Sequence, residues 1–341
     1  MSEQQTVLVT GGSGYIGSWC VIGLLQQGYT VRTTVRNLGR EGAVRAAIGT
    51  VVDAQDRLAF HAADLTSDAG WDAAASGCDY VLHVASPIAI AEPRNADELI
   101  VPARDGTRRA VGAALRAGVK RVVLTSSVAA ASPRTGARES ASDETVWTDL
   151  DDPRVNAYSR SKTLAERTAW DLVAAAPGDT TLATVNPSVV LGPILSRDFS
   201  DSVQVIQRLL SGRVPGLPRL GFSFVDVRDV ADLHIRAMTA PEAAGQRFIA
   251  AGDFAWIAEV AAILKAGLGD AARKVPTRRV PDLILRLAAL FDKSLAGVAP
   301  RLGERRTFIS AKAERVLGWR PRPFEETVLD CARRLISSGA V

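Results

Sequence analysis

The chain has 341 residues, 47% of them hydrophobic and 23% charged, and its 41 Lys and Arg against 37 Asp and Glu leave a net charge of +4. That length suits one large α/β unit carrying a smaller second lobe, and the composition excludes a disordered or fibrous chain. Arginines spread along the whole chain describe a solvated surface rather than a nucleic-acid footprint, and the scattered Cys20, Cys78, Cys331, His61, His83 and His234 lack the spacing of a metal site.

The opening residues MSEQQTVLVTGG carry no basic stretch followed by an apolar core and a small-residue cleavage site, so a cytoplasmic protein is expected. Residues 6–10 read as a strand. Directly after them comes Thr10-Gly11-Gly12-Ser13-Gly14-Tyr15-Ile16-Gly17, which opens a helix over 15–27 that Gly28 closes. In this strand–turn–helix setting Gly11 permits a tight turn, Gly14 lets a diphosphate approach the backbone and Gly17 allows close packing. Free N–H groups and the helix dipole then receive the negative charge, the pattern of a dinucleotide site that includes Tyr15 and Ile16.

A second strand over 30–35 ends in Arg36, with no acid before Glu41. A carboxylate at that place would hold the ribose hydroxyl of NAD and repel a 2′-phosphate. Arg36, with Arg32 or Arg40 as helpers, instead forms a charge-assisted fork for it, so NADPH is expected over NAD. Strands over 58–62 and 80–84 follow, placing Asp64 and Leu65 at the adenine and Val84, Ala85 and Ser86 along the nucleotide, because ligands sit at the carboxyl ends of such strands. The apolar run 81–91 is broken by His83, Ser86 and Pro87, short of the roughly 20 residues a membrane span requires, and no span is expected.

From Asp97 a helix sets Ala110, Val111, Ala114 and Leu115 on one face before Gly118, and a strand over 121–125 leads to Ser126 and Ser127. Tyr158 and Lys162 then stand four apart in a helical segment, on one face with Ala165, Ala169 and Leu172. A buried ammonium beside the phenol is expected to lower the phenol's pKa. A sixth strand over 181–185 completes an alternation of buried strands and helices that builds a doubly wound, Rossmann-type parallel sheet. After Pro193 the alternation stops in a Gly- and Pro-containing stretch over 211–218, and the last third reads as mainly helical. The expected division is a dinucleotide-binding domain over 1–190, to which 224–252 returns, and a substrate lobe from 191–223 and 253–341. Residues 281–291, apolar and flanked by arginines, are expected to pack as core or lid rather than lie on a membrane.

In their order and rough spacing the glycine loop, Thr125-Ser126-Ser127 and the Tyr158–Lys162 segment resemble the extended short-chain dehydrogenase/reductase family. Segments 28–36, 83–87, 186–193, 224–230 and 317–319 resemble its dihydroflavonol 4-reductase and bacterial aldehyde-reductase branch. The resemblance spans nearly the whole chain and is most specific in the first half. It implies hydride transfer from NADPH to a carbonyl, with Tyr158 as proton donor and Lys162 on the nicotinamide ribose. Ser127 would hold the carbonyl oxygen, and Pro187, Ser188 and Val189 would border the nicotinamide.

Departures narrow the substrate. Plant flavonoid enzymes commonly place an Asn where Ser132 stands here, dehydratases an Asp-Glu pair after the Ser, and sugar epimerases often a Val-Tyr-Gly. Val128-Ala129-Ala130 has none of these, and an apolar wall suits a hydrophobic aldehyde or ketone. Hydroxysteroid or cinnamoyl-like substrates stay open, as do a nucleotide-sugar epimerase or dehydratase, a non-catalytic NADP-binding regulator, and a monomer against a homodimer.

Overall fold

The computed structural model describes residues 4–87, 93, 95–133, 136–196, 200–290 and 299–341. Seven parallel strands form the central sheet, in the order β10-β7-β5-β4-β1-β2-β3. They are β1 (Thr6–Thr10), β2 (Thr30–Val35), β3 (Leu58–Ala62), β4 (Tyr80–His83), β5 (Arg121–Thr125), β7 (Thr181–Pro187) and β10 (Gln246–Ala250). The order reverses between β1 and β4, so their carboxyl ends diverge there and leave a crevice for a ligand. Every residue of β5 is buried, as a strand covered on both faces must be.

On one face, helices α1 (Tyr15–Gln26) and α7 (Val227–Thr239) bury Cys20, Leu24, Val230 and Leu233 against Val9 and Val123. On the other, α4 (Asp97–Arg116) and α5 (Ala157–Ala175) bury Ala110, Val111 and Ala169 against Leu8 and Val122. A third core lies beside them, where α6 (Asp201–Leu210), α8 (Ile257–Leu268) and α10 (Phe324–Ser337) bring Ile206, Leu264 and Leu335 around Phe224. Between these cores stands a three-stranded sheet of β11 (Phe254–Trp256), β9 (Gly221–Asp226) and β8 (Val189–Leu191), while β6 (Glu139–Ser142) pairs with β12 (Arg305–Phe308).

The expected strands agree in place with those of the sheet, with two shifts. β4 stops at His83 rather than residue 84, because the N–H groups of Val84 and Ala85 turn to the Thr10 hydroxyl, each at 3.0 Å. β7 continues to Pro187 because β10 extends the pairing to Ala250. The stretch after Pro193, read as mainly helical, also contains β9 to β12.

Residues 281–291 depart from expectation. The short helix α9 (Asp282–Ala288) buries none of its residues, and Leu283, Ile284, Leu287 and Leu290 are exposed instead of packed into the core. A helical apolar period specifies that one face is apolar, not that another element covers it. Phe291 and the end of the 81–91 run lie outside the described residues. Among the described residues no helix is long and apolar enough to cross a membrane.

Candidate active site

The glycine loop is shaped by what surrounds it. Gly11 has φ +71, and a Cβ there would sit 3.0 Å from Ala85, the strand-end residue opposite. At Gly17 a Cβ would stand 2.3 Å from the Gly11 carbonyl, and at Gly14 it would stand 3.2 Å from the same oxygen. Gly12, which sequence reasoning passed over, is as constrained, since its Cβ would meet Thr33 Oγ1 at 2.0 Å. No side chain caps α1 at its N-cap Gly14, and its first turn holds no acid. Its N-terminal N–H groups and dipole therefore face the loop with nothing to neutralise them, a cradle for a diphosphate. Tyr15 and Ile16 pack on the core, and the Tyr15 hydroxyl donates to the Gly192 carbonyl at 2.8 Å, tying the loop to the segment after β8.

Arg36 is exposed at the carboxyl end of β2, close enough to Asp64 to act on its carboxyl. The Asp64 carboxylate accepts from the Thr66 hydroxyl and N–H at 2.6 and 2.7 Å, and these bonds hold it below the usual carboxylate range. Arg32, expected as a helper, is not available: its guanidinium turns under the sheet to the Ser76 and Ala74 carbonyls, at the end of the helix α3 (Trp71–Ala75). Arg40 is exposed in the turn beyond Arg36. Leu65 packs against α4 at Gly106, where a Cβ would approach it to 2.6 Å.

Ser127, Tyr158 and Lys162 come together at the carboxyl end of β5. Ser127 caps the turn Val128–Ala130, accepting from the Ala129 N–H at 3.1 Å, while Asn156 caps α5 by accepting from the Ser159 N–H at 2.8 Å. Ser127 hydrogen-bonds the half-buried Tyr158 hydroxyl, and Lys162 follows one turn later, buried. The electrostatics differ from the sequence expectation. Burial raises the Tyr158 pKa and the Ser127 hydrogen bond opposes it, while the charge of Lys162 acts on His83. Burial pushes Lys162 down to about 8, with Glu166 opposing. Ser132 turns away, donating to the Val128 carbonyl at 2.9 Å.

Pro187 is the last residue of β7, and Ser188 and Val189 lead into β8. Ser188 Oγ is buried with no hydrogen-bond partner among the described residues, and so is Ser223 Oγ. Ser188 directly precedes Val189 and Ser223 directly precedes Phe224, the first register pair of β8 and β9, so the two lie side by side where that pairing begins. Buried hydroxyls without partners are costly, and a bound polar group is one way to satisfy them. The glycine cradle, the uncapped helix, an exposed Arg36 with no acid beside it on β2, and the orphaned Ser188 together fit a phosphorylated dinucleotide laid across the crevice. Sequence reasoning missed Gly12, Ser223, Glu166 and Arg247. Of these Glu166 alone had a local signal, as the next member of the Tyr158, Lys162 face.

The model of the NAD dependent epimerase/dehydratase family matches residues 7–251. A cinnamoyl-CoA reductase 2 from Medicago truncatula is 38% identical over 246 residues, 71% of this chain and 70% of that protein. A dihydroflavonol 4-reductase from Zea mays is 36% identical over 271 residues, 77% of this chain and 74% of that protein. The NADPH complex of a yeast methylglyoxal/isovaleraldehyde reductase superposes with a TM-score of 0.81 at 24% identity, over 99% of this chain and 100% of that one, a likeness of fold.

Proposed function

The chain belongs to the NAD dependent epimerase/dehydratase family, and on that premise we propose that it is an NADPH-dependent reductase of hydrophobic aldehydes or ketones. The observation that carries this reading is the convergence of Ser127, Tyr158 and Lys162 on the same rim as the glycine loop.

NADPH, when bound, supplies the hydride. In this reading Gly11, Gly14 and Gly17 admit its diphosphate to the start of α1, and Arg36 pairs with the 2′-phosphate. Asp64 and Leu65 border the adenine, Val84, Ala85 and Ser86 follow the nucleotide, and Pro187, Ser188 and Val189 border the nicotinamide. Ser127 orients the substrate carbonyl oxygen. Tyr158 gives its proton to that oxygen as the carbon accepts the hydride, and Lys162, holding the ribose, restores the phenol from solvent. With its pKa raised by burial, Tyr158 is protonated at neutral pH, the state an acid needs. Val128 and Ala129, the partly exposed residues directly after Ser127, are apolar, which supports an apolar substituent on the carbonyl rather than a sugar. We assign the substrate lobe to 191–223 and 253–341, and the reaction to the cytoplasm, where the three free, buried cysteines stay reduced.

The test is NADPH oxidation across aryl and alkyl aldehydes, diketones, a dihydroflavonol and a hydroxysteroid pair, beside Tyr158→Phe. Turnover that falls by roughly 100-fold or more in the variant, with NADPH still bound, is the expected result. No oxidation with any carbonyl sinks the reading.

A further inference from the structure

Behind Lys162, one turn along α5, Glu166 is entirely buried and paired with Arg247 of β10, Oε1 to Nε 2.7 Å. A buried ion pair is a weak source of stability, because desolvation offsets most of the attraction and apolar residues of the same volume often do as well. What such a pair does is fix directions, provided every remaining donor and acceptor is matched.

Here they are matched. Glu166 Oε2 accepts from the Ser126 hydroxyl at 2.5 Å and from Asn186 Nδ2 at 2.9 Å, and Oε1 accepts from the Thr184 hydroxyl at 3.0 Å. Asn186 Nδ2 also donates to the Ser127 carbonyl at 3.1 Å. Glu166 is thus joined to Ser127 by two routes, through its chain neighbour Ser126 and through Asn186. Arg247 Nη1 donates to the Glu144 and Val146 carbonyls at 2.6 and 2.9 Å, Nη2 reaches the Ala130 carbonyl at 3.4 Å, and the guanidinium stacks 3.8 Å over Trp147. Its planar fork therefore gathers the turn that follows Ser127 and the loop over 144–147 onto the back of α5.

We propose that Glu166 and Arg247 are positioning residues for carbonyl reduction, joining the strand end that carries Ser127 to the helix that carries Tyr158 and Lys162. This inference rests on the reductase reading above. It has an electrostatic consequence that mere packing lacks. Lys162 is faced by His83 from β4 and by Tyr158 and Glu166 from its own helix, with Arg247 behind Glu166. His83 is held neutral and the Glu166 charge favours the ammonium. Removing that charge lowers the pH at which Lys162 loses its proton, and with it the alkaline limb of NADPH affinity and turnover.

The experiment compares wild type, Glu166→Gln and Arg247→Lys, measuring NADPH affinity by nicotinamide fluorescence and kcat and KM for one reduced carbonyl, from pH 6 to 10. Expected for Glu166→Gln is a kcat loss of about 10-fold, KM within about threefold, and an alkaline limb moved to lower pH in both readouts. Arg247→Lys keeps the charge and loses the fork, so its kcat falls while its alkaline limb stays with wild type. Equal losses in both variants with no movement of the limb, or wild-type kinetics in Glu166→Gln, overturn the proposal. If wild type binds NADPH but reduces no carbonyl, the reductase reading fails, and the limb of NADPH affinity in Glu166→Gln still decides the coupling to Lys162. Absence of NADPH binding in wild type removes both. Should Glu166→Gln fail to fold, Arg247→Lys decides the matter alone: unchanged kcat refutes, a fall in kcat with an unmoved limb supports.

Discussion

Thr10 Oγ1 lies 2.8 Å from Nδ1 of His83, across the two strands that flank the crevice. The same hydroxyl oxygen accepts the N–H groups of Val84 and Ala85, so its single proton goes to Nδ1 and the neutral ring carries its own proton on Nε2. One hydroxyl thereby holds the backbone that faces Gly11. Thr10→Val, of nearly the same shape, strands two N–H groups and a ring nitrogen. A loss of about 2–4 kcal/mol in urea unfolding and a weaker NADPH complex are expected. An unchanged midpoint with unchanged affinity would show that the loop holds itself.

His83 is pushed down to about 3 and His234 to about 4, in both cases chiefly by burial, against an ordinary value of 6.5. His234 is fixed between the Thr125 hydroxyl at 2.7 Å and the Val230 carbonyl at 2.8 Å. The unfolded chain takes up both protons below about pH 6.5 and the folded chain refuses them, so stability is complete above that pH and is lost as the pH falls toward 4. The slope approaches about 1.4 kcal/mol per pH unit for each histidine. Urea midpoints between pH 7 and 5, above the carboxylate range, should therefore fall, and His234→Gln should roughly halve the slope. A flat profile over that window contradicts the assignment.

Arg36 is the charged group expected to separate the two cofactors. Arg36→Ala removes a charge-assisted contact of about 2 kcal/mol, so NADPH affinity should drop roughly 30-fold while NADH affinity stays level. Fluorescence titration with both nucleotides reads this directly. Parallel losses for both would move the 2′-phosphate contact to another residue.

Two glycines in ordinary backbone conformations make opposite predictions. A Cβ at Gly12 would enter Thr33 Oγ1, itself tied to the Val9 carbonyl at 2.8 Å, whereas at Gly42, in the helix α2 (Glu41–Gly49), it meets nothing within 4 Å. Gly12→Ala should destabilise the fold and weaken NADPH, and Gly42→Ala should stabilise by about 0.5–1 kcal/mol through helix propensity alone. Thermal melts of the pair, with and without NADPH, separate the two effects.

The early part of the fold was legible because its signals are local. A buried parallel strand is a short apolar run, the first loop needs glycines at fixed offsets, and Tyr158 and Lys162 share a face by helical period. β8, β11 and β12, three or four residues each, are too short to show a period, and β9 is buried at five of its six residues, so no alternation of apolar and polar positions marks it.

By itself, then, the chain's local chemistry determined six of the seven strands of the sheet, the glycine loop and the Ser127, Tyr158 and Lys162 set. Tertiary structure alone decided that Gly12 must be bare because Thr33 arrives from the next strand, that Arg32 is spent on the end of α3, and that Leu283, Ile284, Leu287 and Leu290 face outward. It also brought Glu166 to Arg247, residues 81 positions apart. Steric and helical rules act over a few residues and can be read along a chain, whereas which buried donor meets which acceptor depends on how distant segments pack, and no local pattern carries that.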